Sequence, residues 1–275
     1  YGNTSGGRAY YPSHFLRPTG AADGDTLGLL AREAKARGFH VMPAVCVLVS
    51  GHNAPEGILE EHLEWALRKP SGEPMGWISP SHADARAWVV GMMREMVGHI
   101  RPSGVLLDYL RYPNEEVQLD PASAAAFDAA APAGETDAAR KERLQRFKEE
   151  SLSTLAREIS QALREQQPDI RIALYTWGPH VPFNHPVSQR WPDWVRNRYI
   201  DMVNVSGYCY RRNCGEEYLN VFEKRVRDSV ELVRQTGVDA SLSFALGIHT
   251  SHGALESAAE IADYRSLAEK AGCPG

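Results

Sequence analysis

The stretch Gly104-Val-Leu-Leu-Asp-Tyr-Leu-Arg-Tyr-Pro113 joins an apolar run to a cluster of side chains able to do chemistry. Val105 to Leu107 are apolar, Asp108 follows, and then come Tyr109, Arg111, Tyr112 and the chain-breaking Pro113. A carboxylate can move a proton in a reaction or attack an electrophilic carbon. In a buried parallel strand the apolar residues fill the core. The first polar residue after them then sits at the strand's carboxyl end, where α/β barrels carry their chemistry. The bland alternative for Asp108 is a structural aspartate bonded to Arg111. Arg111 fits either that ion pair or a contact with a substrate hydroxyl or carboxylate.

No other expected strand ends in Asp or Glu. Glu56, Glu115, Glu116 and Asp193 fall in loops, where a solvated charge is the ordinary reading, and Asp201 opens a strand and so belongs to the opposite, structural face. His52 and Asn53 follow an apolar strand, where they suit hydrogen bonding to hydroxyls or capping of the loop. His249 with His252, and His180 with His185, invite a metal reading. Neither pair has helical i,i+4 spacing or a clear carboxylate partner, so no metal is expected. A Gly-x-Ser-x-Gly elbow for serine chemistry is absent.

Strands and helices must alternate to position these residues. Asp25 to Arg37 reads as a helix through Leu27, Leu30, Ala31 and Ala34, with Gly38 at its stop. Phe39 to Val49 reads as a buried strand containing Cys46, and Ser50 to Pro80 as a loop. Ser81 suits the cap of a helix whose stripe is Ala85, Trp88, Val89, Met92 and Met96. Further strands are expected at Val105–Asp108, Ile170–Trp177, Asp201–Tyr208 and Val238–Ile248. Helices are expected at 138–167, 218–235 and 254–271, and Tyr109–Asp137 is a long connection. This rhythm implies parallel β-structure with crossover helices, and no Gly-rich phosphate turn supports a dinucleotide-binding sheet.

The chain has 275 residues, 43% hydrophobic and 24% charged, enough for one large α/β domain. Its net charge of -5 argues against nucleic acid as a partner. The longest apolar run, Val41 to Val49, is strand-sized, so no membrane span is expected. The chain opens on Tyr1 rather than Met, which leaves a removed leader open. Of the four cysteines, Cys46 reads as a buried thiol, and Cys209 and Cys214 are close enough for a local disulfide without proving one. There is no CxxC pair to hold structural zinc.

Four separated segments resemble the glycosyl-hydrolase-like family 10 proteins, a group of bacterial TIM-barrel glycosidases. They are Gly7-Arg-Ala-Tyr-Tyr-Pro-Ser13, Ala31 to Val49 around Ala-Arg-Gly-Phe-His-Val, Trp77-Ile-Ser-Pro80 through Pro113, and Trp191-Pro-Asp-Trp194 through Tyr208. The Asp-Tyr-x-Arg-Tyr-Pro pattern ending the third is the most specific. The resemblance implies a single (β/α)8 TIM-barrel domain over 1–275. Set against that family, the chain begins at the end of strand two and stops before strand eight, so a fragment of a longer protein is expected. Ser103 and Leu106 replace residues that are often polar in the family, which weakens the polar support around Asp108.

The resemblance also implies hydrolysis of glycosidic bonds in a polysaccharide, with Asp108 as a key carboxylate and no organic cofactor. Its sugar-contacting residues would be Arg111, Tyr112, Trp177, Tyr208, His52, Asn53 and Tyr11, since sugar rings stack on aromatic faces. Trp88 and Trp194 read as packing residues. A chitinase-type Asp-x-Glu motif is ruled out by Leu110. Family members are often exported, which implies an extracytoplasmic location. The rivals are a barrel that binds carbohydrate without turnover and a non-glycosidase barrel hydrolase.

Overall fold

The computed structural model describes residues 1–20 and 24–273. β1 (Arg8–Ala9) and β2 (Arg17–Pro18) pair in parallel. α1 (Thr26–Ala36) follows, capped by Asp25, which accepts from the Gly28 amide at 2.9 Å. The apolar run after it makes β3 (Ala44–Cys46), then departs into β4 (Val49–His52). β5 (Ala66–Arg68) and β6 (Pro74–Ile78) join β4 in an antiparallel sheet ordered β4-β6-β5. Then come α2 (Ala83–Ile100), β7 (Gly104–Asp108), α3 (Pro121–Ala129), α4 (Asp137–Gln166), β8 (Arg171–Thr176) and α5 (Trp191–Arg196). β9 (Met202–Ser206), α6 (Arg211–Cys214), α7 (Tyr218–Gln235), β10 (Ser241–Ala245), β11 (His249–Thr250), β12 (Gly253–Ala254) and α8 (Ala259–Lys270) complete the chain.

β3, β7, β8, β9 and β10 are the five strands expected from the apolar runs. They form one sheet in the order β10-β9-β8-β7-β3, every neighbouring pair parallel. At least one helix lies between each successive pair, as a parallel connection requires. The fold class is therefore α/β with a parallel sheet. Val45, Val105, Leu107, Leu174, Val203 and Val205 are buried on one side, in one core with α2 and α4. α2 packs on α4, and α7 on α8. Alternation along each strand turns Leu106, Asp108, Tyr175, Asn204 and Ser243 to the other, half-buried face.

The structure corrects several local expectations. The stretch from Ser50 to Pro80 is not a plain loop, because the β4-β6-β5 sheet lies within it. Ser81 does not cap α2; the N-cap position is His82, with no side-chain bond, and the Ser81 hydroxyl lies 2.9 Å from the Tyr112 hydroxyl. The Tyr109–Asp137 connection holds α3, capped by the fully buried Asp120. Trp194 is a packing residue, 0% exposed, with its indole N–H donating to Ser153 Oγ at 2.8 Å. Trp88 meets Phe15 edge to face. All four cysteines are free thiols. Among the described residues no helix is long and apolar enough to cross a membrane.

Candidate active site

Asp108 ends β7 and lies opposite Cys46 of β3 in register. The next residue, Tyr109, turns into the left-handed region (φ 54), which stops the strand. Its amide donates to Asp108 Oδ1 at 2.8 Å, and the Tyr1 hydroxyl donates to Oδ2 at 2.6 Å. The first residues are pinned beside β3. The Gly2 amide donates to the Ala44 carbonyl at 2.7 Å. The buried Asn3 side chain donates to the Cys46 carbonyl at 3.0 Å and accepts from the Cys46 amide at 2.9 Å. A Cβ at Gly2 would stand 2.5 Å from Met96 Sδ, so a glycine lets this segment lie close. Burial and the Asp108 carboxylate push the Tyr1 phenol well above its ordinary range and so keep it a donor. Burial, then Asp108, pushes the Cys46 thiol up to about 12, which leaves it a poor nucleophile.

Three residues on, the Arg111 guanidinium lies in an aromatic slot. Its carbon is 4.4 Å from the Trp177 ring centroid, 5.0 Å from Trp77 and 5.2 Å from Tyr109. Such contacts favour a cation. The expected ion pair with Asp108 is not formed: among the described residues no carboxylate pairs with Arg111 within 4.0 Å. Its Nη1 donates to the Tyr112 carbonyl at 3.0 Å. The physical reason is that Asp108 is already occupied by Tyr1 and the Tyr109 amide, while the Trp faces hold the guanidinium apart.

Arg111, Trp77 and Trp177 line a cleft of about 320 Å³ together with His52, Asn53 and Glu115. His52 reaches it from an irregular β4–β6 pairing with a left-handed backbone (φ 56). Its ring stands edge-on to Trp77 and Tyr109, at 5.9 and 5.4 Å. Burial, then the Arg111 charge, lowers the His52 pKa. His185, 6.3 Å from Trp177, is lowered by burial, His180 and Arg111 in turn. A second aromatic cluster sits at the ends of β8 and β9. Tyr208 lies 6.4 Å from Tyr175, 6.3 Å from Tyr210 and 6.2 Å from His252.

Thus His52, Asn53, Arg111 and Trp177 share one cleft, Asp108 adjoins it through Tyr109, and Tyr208 belongs to the neighbouring cluster. Two expectations are corrected. Tyr112 is 0% exposed, with its hydroxyl against Ser81 and its ring under the Lys148 ammonium, so no sugar can reach it. Tyr11 is 1% exposed and stacks on His99 in the core. Both are aromatics in polar-looking segments whose burial depends on helices far away in sequence.

Of the loop acids, Glu115 alone among the described residues lines the cleft. Asp193 pairs with Arg190 and Arg196 on α5. Asp201 accepts from Arg164 and from the Ile172 amide at the start of β8, on the structural face as expected. His180 and His185 face each other at 5.5 Å. Among the described residues no group of three or more His, Cys, Asp or Glu is placed to hold a metal. Sequence reasoning left out Trp77, Tyr109 and Tyr1 as site residues. Tyr109 adjoins the motif's aspartate and Trp77 is one of many aromatics near strand ends, so both are open to reading; Tyr1 gives no local signal.

The comparisons agree on the broad picture. No curated protein matches the chain. The glycoside hydrolase domain of PgaB (BpsB) from Bordetella bronchiseptica is similar in fold, with a TM-score of 0.70 at 15% identity, covering 97% of this chain and 76% of that one. A beta-galactosidase from the psychrophilic Marinomonas ef1 gives a TM-score of 0.62 at 11% identity, over 92% of this chain and 46% of that one. Bee venom hyaluronidase, in complex with a hyaluronic acid tetramer, gives 0.54 at 14% identity, over 76% and 73%. These identities speak for the fold alone. The sequence profile of the family described as Glycosyl hydrolase-like 10 matches residues 5–240, most of the chain, and the chain belongs to that family.

Proposed function

We propose that the chain hydrolyses glycosidic bonds in a polysaccharide, with Asp108 as a key carboxylate. The observation that carries this reading is the position of Asp108: at the carboxyl end of a parallel strand, beside a cleft walled by Trp77 and Trp177. Glycoside hydrolysis uses two carboxyl groups, one to protonate the leaving oxygen and one to act as nucleophile or to activate water. The Tyr1 hydroxyl and the Tyr109 amide, one on each Asp108 oxygen, hold the carboxylate in a fixed orientation at the strand end. Trp177 and Tyr208 offer ring faces to sugar C–H surfaces, and His52 and Asn53 offer hydrogen bonds to hydroxyls. We read the five-stranded sheet as part of a (β/α)8 barrel, and place the protein outside the cytoplasm on the family resemblance alone.

The test is release of reducing ends from a panel of bacterial and plant polysaccharides by the full-length protein and its Asp108→Asn variant. Activity that falls by about 100-fold or more in the variant is expected, the usual contribution of a positioned proton-transfer group. Activity unchanged by the substitution would remove Asp108 from the chemistry. One observation favours a second reading, a barrel that binds sugar without turnover: Glu115 is the one acidic side chain among the described cleft residues. Sugar binding with no products from either form would select it.

A further inference from the structure

The Arg111 slot says something about the sugar. A structural arginine normally pairs with a carboxylate, and Asp108 stands only three residues away. Asp108 instead accepts from Tyr1 and the Tyr109 amide, and among the described residues Arg111 is left with one protein hydrogen bond for its five N–H donors. Trp177, Trp77 and Tyr109 satisfy the faces of the guanidinium plane. Ring faces cannot accept the N–H groups that lie in that plane. Arg111 lines the cleft, and none of its nitrogens is among the fully buried, unpartnered polar atoms of the described residues, so the remaining N–H groups are open to an acceptor that enters the cleft. Glu115 lines the same cleft, yet it forms no ion pair with Arg111 within 4.0 Å. His52, which shares the cleft, and His185, beside Trp177, have pKa values lowered first by burial and further by the Arg111 charge.

We infer that the sugar seated in this cleft carries a carboxylate, and that Arg111 is the residue that binds it. The proposal rests on the reading of the cleft as a sugar site. A planar carboxylate matches the guanidinium fork with two parallel hydrogen bonds, while Trp77 and Trp177 hold the fork in one plane. Arg111 is thus a specificity-determining residue that selects acidic glycans over neutral ones. The Trp rings beside it would also contact the sugar, which gives the binding event an optical signal.

The experiment measures binding by tryptophan fluorescence and by calorimetry. The probes are tetrasaccharides of hyaluronate and of polygalacturonate, each paired with its carboxyl-reduced, neutral counterpart. Wild-type protein is expected to bind at least one acidic form about tenfold or more tightly than its reduced form, the scale of one charge-assisted hydrogen bond. Arg111→Gln should erase that preference, and Arg111→Lys should keep only part of it, because an ammonium cannot offer two parallel donors.

Equal affinity for acidic and reduced forms, a preference that survives Arg111→Gln, or no binding of any acidic probe would each overturn the proposal. If Arg111→Gln does not fold, the wild-type comparison alone decides. Failure of the hydrolase reading looks different: the acidic preference would stand while no polysaccharide releases reducing ends.

Discussion

Gly76 ties the fold to the cleft, and its substitution can be worked through from the geometry. It lies opposite His52 in the β4–β6 register, next to Trp77. A Cβ there would stand 2.4 Å from the Ala54 carbonyl oxygen, the Gly51 carbonyl carbon and the His52 amide nitrogen. All three are backbone atoms, and ordinary contact begins near 3.4 Å. Gly76→Ala therefore forces the two strands about 1 Å apart, beyond what rotamer changes absorb. Such a shift breaks one or two strand hydrogen bonds, each worth about 1 kcal/mol net, and adds packing strain, for a loss of about 2–4 kcal/mol.

Gly72, in the turn between β5 and β6, is the control. A Cβ there meets nothing within 4 Å, and only its positive φ (+87) opposes substitution. Gly72→Ala should cost about 1 kcal/mol. Urea unfolding followed by fluorescence measures both. The cleft provides a second readout, since His52 and Trp77 lie on the two strands that would be forced apart: Gly76→Ala should weaken binding of any cleft ligand, and Gly72→Ala should not. A Gly76→Ala loss no larger than that of Gly72→Ala would refute the close-packing argument.

Two further outcomes concern groups buried near the site. Lys148 is 7% exposed, and burial pushes its amine down to about 8 from 10.5. The folded state thus penalises the charged amine fully below pH 8, and the penalty fades as pH rises from 8 to 10.5, where only the unfolded chain stays protonated. Lys148→Met should stabilise the protein by roughly 1–3 kcal/mol at pH 7, with the gain shrinking toward pH 10.5; urea midpoints at both pH values that show no gain, or a gain growing with pH, would contradict this. Asp120, 0% exposed, accepts from Ser79 Oγ at 2.7 Å and from the Ser123 amide at 2.9 Å. Asp120→Ala removes the α3 cap and orphans a buried hydroxyl, so thermal or urea unfolding should show a loss of about 2–4 kcal/mol.

The sequence by itself determined the five sheet strands, the crossover helices and the strand-end position of Asp108. Those features are written in short-range apolar patterns, and a buried strand such as Val105–Leu107 announces itself in three residues. It also determined that Asp201 faces the structural end, because a residue opening a parallel strand must lie opposite one closing it. What it did not decide is who meets whom. Arg111 reads as the partner of Asp108 from three residues' spacing, yet Trp77, Tyr109 and Trp177, drawn from three separate segments, hold it elsewhere. Tyr112 and Tyr11 look like site aromatics until Lys148 and His99, on α4 and α2, close over them. Tyr1 reaches Asp108 across 107 residues because Asn3 clamps the Cys46 backbone. Contacts of that kind depend on distances set by packing, which no local pattern encodes, and they separate a strand that ends in a carboxylate from a cleft that can use one.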